Sequence, residues 1–137
     1  MAQISLTVDV AVPNGPKLWF RRALDVDAYD KIDVTVPAPP DPTASDKKVE
    51  LQPGGSGQVQ FIAIVSDWYG DDLTYKINKK TADARTLDHP HLLAGKGAVS
   101  LFDNASPPTA LFFTNTTSGA KAKDAKVQIL IGRDATP

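Results

Sequence analysis

Apolar and polar residues alternate at both ends of the chain: Ile4, Leu6, Val8, Val10 and Val12 near the start, Val127, Ile129 and Ile131 near the end. A period of two is the mark of a half-buried strand, whose successive side chains point to opposite faces. Both ends are therefore expected in one sheet-built core. The first strand, about residues 3 to 12, runs into Pro13-Asn14-Gly15-Pro16, a turn by composition, since Asn and Gly tolerate positive φ and proline removes a ladder donor. Residues 17 to 24 return antiparallel, with Arg21-Arg22 breaking the alternation and suggesting a bulge or an edge.

Ile32, Val34 and Val36 form another alternating strand, which stops at Pro37. Four prolines within residues 37 to 42 cannot pair in a sheet, so residues 37–46 read as a stiff strap crossing the domain. Val49 and Leu51 alternate next, and residues 53–57 are turn-like. The most apolar stretch follows, Val59 to Val65, and here the alternation is lost. Phe61, Ala63 and Val65 face one way, Ile62 and Ile64 the other, which is the pattern of a strand buried on both faces. Phe61, Ile62 and Ile64 are accordingly candidate interface residues, covered by a second sheet or by another copy of the chain. Leu73, Tyr75 and Ile77 are expected to pair with 59–65 as a hairpin around the loop 67–72.

Residues 79–97 carry little strand pattern and form a long loop or hold a short helix. Ala98 to Phe102, Thr109 to Thr114 and Lys126 to Ile131 complete the strands. About eight or nine short strands separated by Gly- and Pro-rich turns predict an all-β chain with little helix, an antiparallel β-sandwich of immunoglobulin-like or jelly-roll type. At 137 residues it is read as one domain, 1–137.

Composition narrows the chemistry. The formal net charge is −1, so no global field draws the chain to nucleic acid. Two basic patches, Tyr75 to Lys80 and Lys121, Lys123, Lys126, read as solvated strand ends. The chain has no cysteine, which removes disulfides and thiolate chemistry. Fifteen of the sixteen acidic residues are Asp, agreeing with strands and turns and excluding motifs built on Glu. No stretch reaches the ~18 apolar residues of a membrane span. Met1 leads straight into a strand with no basic leader, so no signal peptide is expected and the location is read as cytoplasmic or within an assembly such as a virion.

Three clusters carry candidate chemistry. Asp67-Trp68-Tyr69-Gly70-Asp71-Asp72 sets two large aromatics among three carboxylates, groups that stack on sugars and coordinate Ca²⁺; the same residues also suit a turn with an aromatic plug. The second, Asp25-Val26-Asp27-Ala28-Tyr29-Asp30 followed by Asp33, opens at Asp25 and Asp27 with the spacing of a calcium loop. Tyr29 then takes an acidic position, Asp30 the glycine position and Val36 the position of the bidentate Glu, leaving only an irregular Ca²⁺ site. The third is Asp88-His89-Pro90-His91, where His89 and His91 at i and i+2 project to one side of an extended segment and suit a divalent transition metal. The partner residues of a cupin-type site, a Glu shortly after the pair and a third His, are missing. No Gly-x-Ser-x-Gly elbow or P-loop occurs.

The reading that follows is a non-enzymatic structural or assembly subunit without a required cofactor, which self-associates as a homo-oligomer or docks on a larger protein complex. The alternatives are a carbohydrate- or Ca²⁺-binding module using the 67–72 loop and, third, a metalloenzyme using His89 and His91.

Overall fold

The computed structural model describes residues 2–51, 58–102 and 107–134. Among these, ten strands are arranged in three antiparallel sheets. β1 (Ala2–Ala11) and β2 (Lys17–Val26) form a hairpin of their own. The other eight are β3 (Ala28–Val36), β4 (Lys47–Glu50), β5 (Val59–Ser66), β6 (Leu73–Ile77), β7 (Arg85–Thr86), β8 (His91–Ala94), β9 (Ala110–Asn115) and β10 (Ala125–Arg133). They build one sheet in the order β3-β10-β5-β8 and another in the order β4-β9-β6-β7. The result is an all-β sandwich.

The core lies between the two four-stranded sheets. Ile62, Ile64, Val127, Ile129 and Ile131 on one side and Leu73, Tyr75, Leu111 and Phe113 on the other are all buried in a single cluster. This arrangement explains why β5 and β6 do not pair, contrary to the hairpin expected of them. A ladder would set their apolar rows side by side and leave both uncovered. With the six-residue loop 67–72 crossing from sheet to sheet, the rows instead meet across the ~10 Å between packed sheets. β5 takes the central place its two apolar faces demand, between β10 and β8.

Other expectations change as well. β1 belongs to neither core sheet, so the alternation at the start of the chain marks a separate ribbon. That ribbon runs without a bulge past the double arginine, pairing Leu6 with Arg22 and Thr7 with Arg21. Ala98 to Phe102, expected as a strand, starts inside a short helix, α1 (Lys96–Val99), and continues as turn. Residues 79–97 hold β7 and β8, two strands too short for periodicity to reveal. The strap 37–46 contains a cis Pro39-Pro40 bond and a 3-10 turn, Pro42–Ala44, capped by the Asp41 carboxylate accepting from Thr43 N at 2.8 Å. The turn at 53–57 lies outside the described residues. No helix among the described residues is long and apolar enough to cross a membrane.

Candidate functional site

The hairpin β1–β2 is built from the tight turn Val12-Pro13-Asn14-Gly15, closed by Gly15 N donating to Val12 O at 2.8 Å. Asn14 sits at φ 58°, and proline before a positive-φ residue is the type II arrangement. Register places Ile4, Leu6, Val8 and Val10 opposite Leu24, Arg22, Phe20 and Leu18, so these eight side chains share one face. The other face carries Ser5, Thr7, Asp9, Trp19, Arg21 and Ala23.

Only the base of this ribbon is anchored. Val26 is 1% exposed, and a Cβ built on Gly132 of β10 would lie 2.6 Å from Ile4 Cδ1 and 3.1 Å from Val26 Cγ1. Ile4 and Val26 thus rest directly on the backbone of the outer sheet face, where a larger residue at 132 would first have to push aside the Ile4 terminal methyl. Gln60 donates to Asp25 O at 3.3 Å, and Asp27 N donates to Arg133 O at 3.0 Å where β2 gives way to β3. Towards the tip the contacts stop. Val10 is 50% exposed, Val12 52%, Leu18 61%, Trp19 60% and Phe20 38%.

The same outer sheet face carries a second uncovered apolar strip. Inward residues of β10, β5 and β8 alternate with outward ones, and the outward rows are Tyr29–Gly132–Phe61–Ala94 and Lys31–Leu130–Ala63–Leu92. Phe61 is buried beneath the hairpin base, whereas Tyr29 and Leu92 are exposed and Leu130, Ala63 and Ala94 half-buried. Between hairpin and sheet runs a groove of about 420 Å³, lined by Leu6, Phe20 and Leu24 above and Leu92 and Ala94 below. The candidate interface residues Phe61, Ile62 and Ile64 are therefore internal: Ile62 and Ile64 face the core and Phe61 is covered by the chain's own hairpin. Uncovered apolar surface lies instead at the hairpin tip and along the second row, residues whose individual alternation looked like ordinary core.

The loop 67–72 joins the two sheets at one end of the sandwich. Trp68 and Tyr69 pack partly buried against the core, Trp68 Nε1 donates to Asp124 O at 2.8 Å, and Tyr69 Oη accepts from Ser66 N at 3.1 Å. Asp67 accepts from Lys126 N at 2.9 Å, and Asp72 accepts from Thr116 Oγ1 at 3.0 Å. Two of the three carboxylates thus fasten neighbouring loops, while Asp71 is exposed. Beside them is a cleft of about 490 Å³ lined by Trp68, Tyr69, Asp72, Thr117, Lys121 and Lys123. The Lys123 ammonium sits 4.8 Å from the centre of the Trp68 ring, a cation–π contact on the face a sugar would use.

The candidate metal residues are dispersed. Asp25 accepts from Gln3 Nε2 at 3.2 Å, Asp30 pairs with Arg133, and Asp27 marks the bend between β2 and β3. His89 is exposed in the β7–β8 loop, while His91 turns inward on β8 and shares a 2.6 Å hydrogen bond with Tyr75 Oη through Nδ1. Burial pushes the Tyr75 phenol up to about 12, so the phenol keeps its proton, and the imidazole tautomer sets which partner donates. Burial also holds His91 below its ordinary 6.5, with Arg85 and His89 acting in the same direction and Asp88 opposing. Among the described residues no three His, Asp or Glu side chains gather as a metal site.

One buried polar centre escaped the sequence reading. Asn115, 1% exposed, donates to Val36 O and Lys123 O and accepts from Thr117 N and Oγ1, tying the strap's start to the loop 115–123. Nothing distinguishes its Asn-Thr-Thr sequence from a solvated loop. Comparison with protein-family models, with curated proteins and with solved structures found no match to this chain.

Proposed function

We propose that the chain is a non-enzymatic structural subunit that docks into a larger protein assembly through the β1–β2 hairpin. The observation that carries this reading is the tip: five large apolar side chains, Val10, Val12, Leu18, Trp19 and Phe20, stand well clear of the molecule that bears them. They present on the order of 500 Å² of apolar surface, Trp19 on one face of the ribbon and Val10, Leu18 and Phe20 on the other, and exposed apolar surface of that extent marks interaction sites. Aromatic anchors with flanking arginines are also the composition of interface hot spots. The strand order supports the jelly-roll alternative for the body. Consecutive strands from β3 onward switch sheets at nearly every step, and only β6 and β7 are neighbours in both chain and sheet, whereas immunoglobulin-like sheets pair several consecutive strands.

The test is sedimentation of the chain in a lysate of the cells that naturally express it. The wild type should move well ahead of a free 14.6 kDa chain, and Leu18→Asp should return it to the free position. A wild type that sediments as the free chain overturns the proposal.

A second reading, a carbohydrate- or Ca²⁺-binding module, rests on the 490 Å³ cleft beside Trp68. A sugar would have to displace Lys123 from the ring, and Ca²⁺ would have to draw Asp72 from Thr116. A native-state ligand raises the melting temperature. An unchanged melting temperature in millimolar Ca²⁺ and across a glycan panel rejects this reading.

A further inference from the structure

Resting on the assembly reading above, we infer that the partner of the hairpin is a second copy of this chain, and that two copies exchange hairpins reciprocally. Each tip lies on the partner's outer sheet face along Leu130, Ala63 and Leu92. Three observations point to this occupant.

The first is shape. In that row a small side chain, Ala63, lies between two leucines on the flanking strands, Leu130 and Leu92, two strand spacings or roughly 10 Å apart. It forms a shallow trough, continuous with the groove under the hairpin through Leu92 and Ala94. The tip face of Val8, Val10, Leu18 and Phe20 is itself a two-stranded apolar ribbon. The hairpin base already packs in this manner on the neighbouring row, at Gly132. The tip would repeat in a second molecule the sheet-on-sheet contact that the base makes in its own.

The second is charge. Residues 7–22 carry Lys17, Arg21 and Arg22 against Asp9 alone, and since the chain totals −1 the remainder is net negative. A basic tip is attracted to the acidic body of another copy.

The third is area. One tip on one trough covers on the order of 500 Å² counting both surfaces, below specific interfaces, while a reciprocal pair reaches on the order of 1,000 Å², their lower edge. A two-fold exchange thus reaches the size a specific interface needs where a single contact does not, and it covers both the trough and the tip face of Val10, Leu18 and Phe20.

The experiment is light scattering with size exclusion on the purified chain at micromolar concentration. The wild type should weigh twice the 14.6 kDa chain. Leu18→Asp in the tip and Leu92→Lys in the trough should each give monomers, with unchanged circular dichroism and a lower melting temperature that no longer depends on protein concentration; Ala63→Lys serves as the second trough variant should Leu92→Lys unfold. Mixing the tip variant with the trough variant should restore a weaker dimer, because one intact tip then meets one intact trough. A tip-to-tip interface gives no such rescue, and its absence overturns the exchange, as does a wild-type mass other than two copies. A purified monomer that still sediments fast in lysate defeats this inference alone, whereas a chain that is free in both defeats the assembly reading with it.

Discussion

The Tyr75–His91 pair shows how a single buried contact sets a dependence on pH. Each partner was legible only as half of something else: Tyr75 as an inward residue of an alternating strand, His91 as half of a metal-like pair. Sequence could not join them, because their strands lie in different sheets and meet only across the core. In the fold His91 is held below its ordinary 6.5, so on acidification the unfolded chain takes up the proton first. The stabilisation is fully present above about pH 6.5 and is lost as pH falls towards the folded value. The urea midpoint should therefore fall between pH 7.5 and 5.5, and His91→Gln, which keeps an acceptor for the phenol without titrating, should flatten that fall. Asn115 makes the complementary point for a group that does not titrate. Asn115→Ala strands two carbonyls and the Thr117 donors, and should cost about 2–3 kcal/mol in urea unfolding; a loss under 0.5 kcal/mol would show that the loop re-forms its bonds without it.

At the scale of elements, the alternating strands and the β1–β2 hairpin were legible, and the pairings within the two core sheets were not. Ile4 to Val12, Ile32 to Val36 and Val127 to Ile131 each announce a strand by period two, and Pro13-Asn14-Gly15 announces the turn. Period says which face is apolar but not what covers it. The same pattern therefore describes β10, sealed in the core, and β1, half-buried at Ile4, Leu6 and Val8 and exposed at Val10. The hairpin base sits over Gly132, in an outward-facing row, and a lone glycine in a strand says only that something approaches closely. Gly132→Val should lever the hairpin base away while β10 keeps its neighbours, with an overpacking cost of about 1–3 kcal/mol. Hydrogen exchange would read this as faster exchange across residues 3–26 with β5 and β10 still protected. Uniform protection would mean that Ile4 and Val26 yield to the new side chain.

For the whole molecule, sandwich architecture followed from counting strands and turns, while strand order depended on which apolar rows face each other. The rule that put β5 against β6 was proximity in sequence. The rule that prevailed was coverage of apolar faces, satisfied by sending the chain back and forth between layers. One consequence concerns synthesis. β10, residues 125–133, lies between β3 and β5, which have no ladder with each other. Until that strand has left the ribosome the first sheet has a gap at its centre, and its earliest strand waits through almost a hundred residues of translation, about 5–20 s at ordinary elongation rates. Folding of the body is thus deferred until β10 has been made, whereas the β1–β2 ribbon, joined by a short turn, needs only its own local pairing and finds it in microseconds.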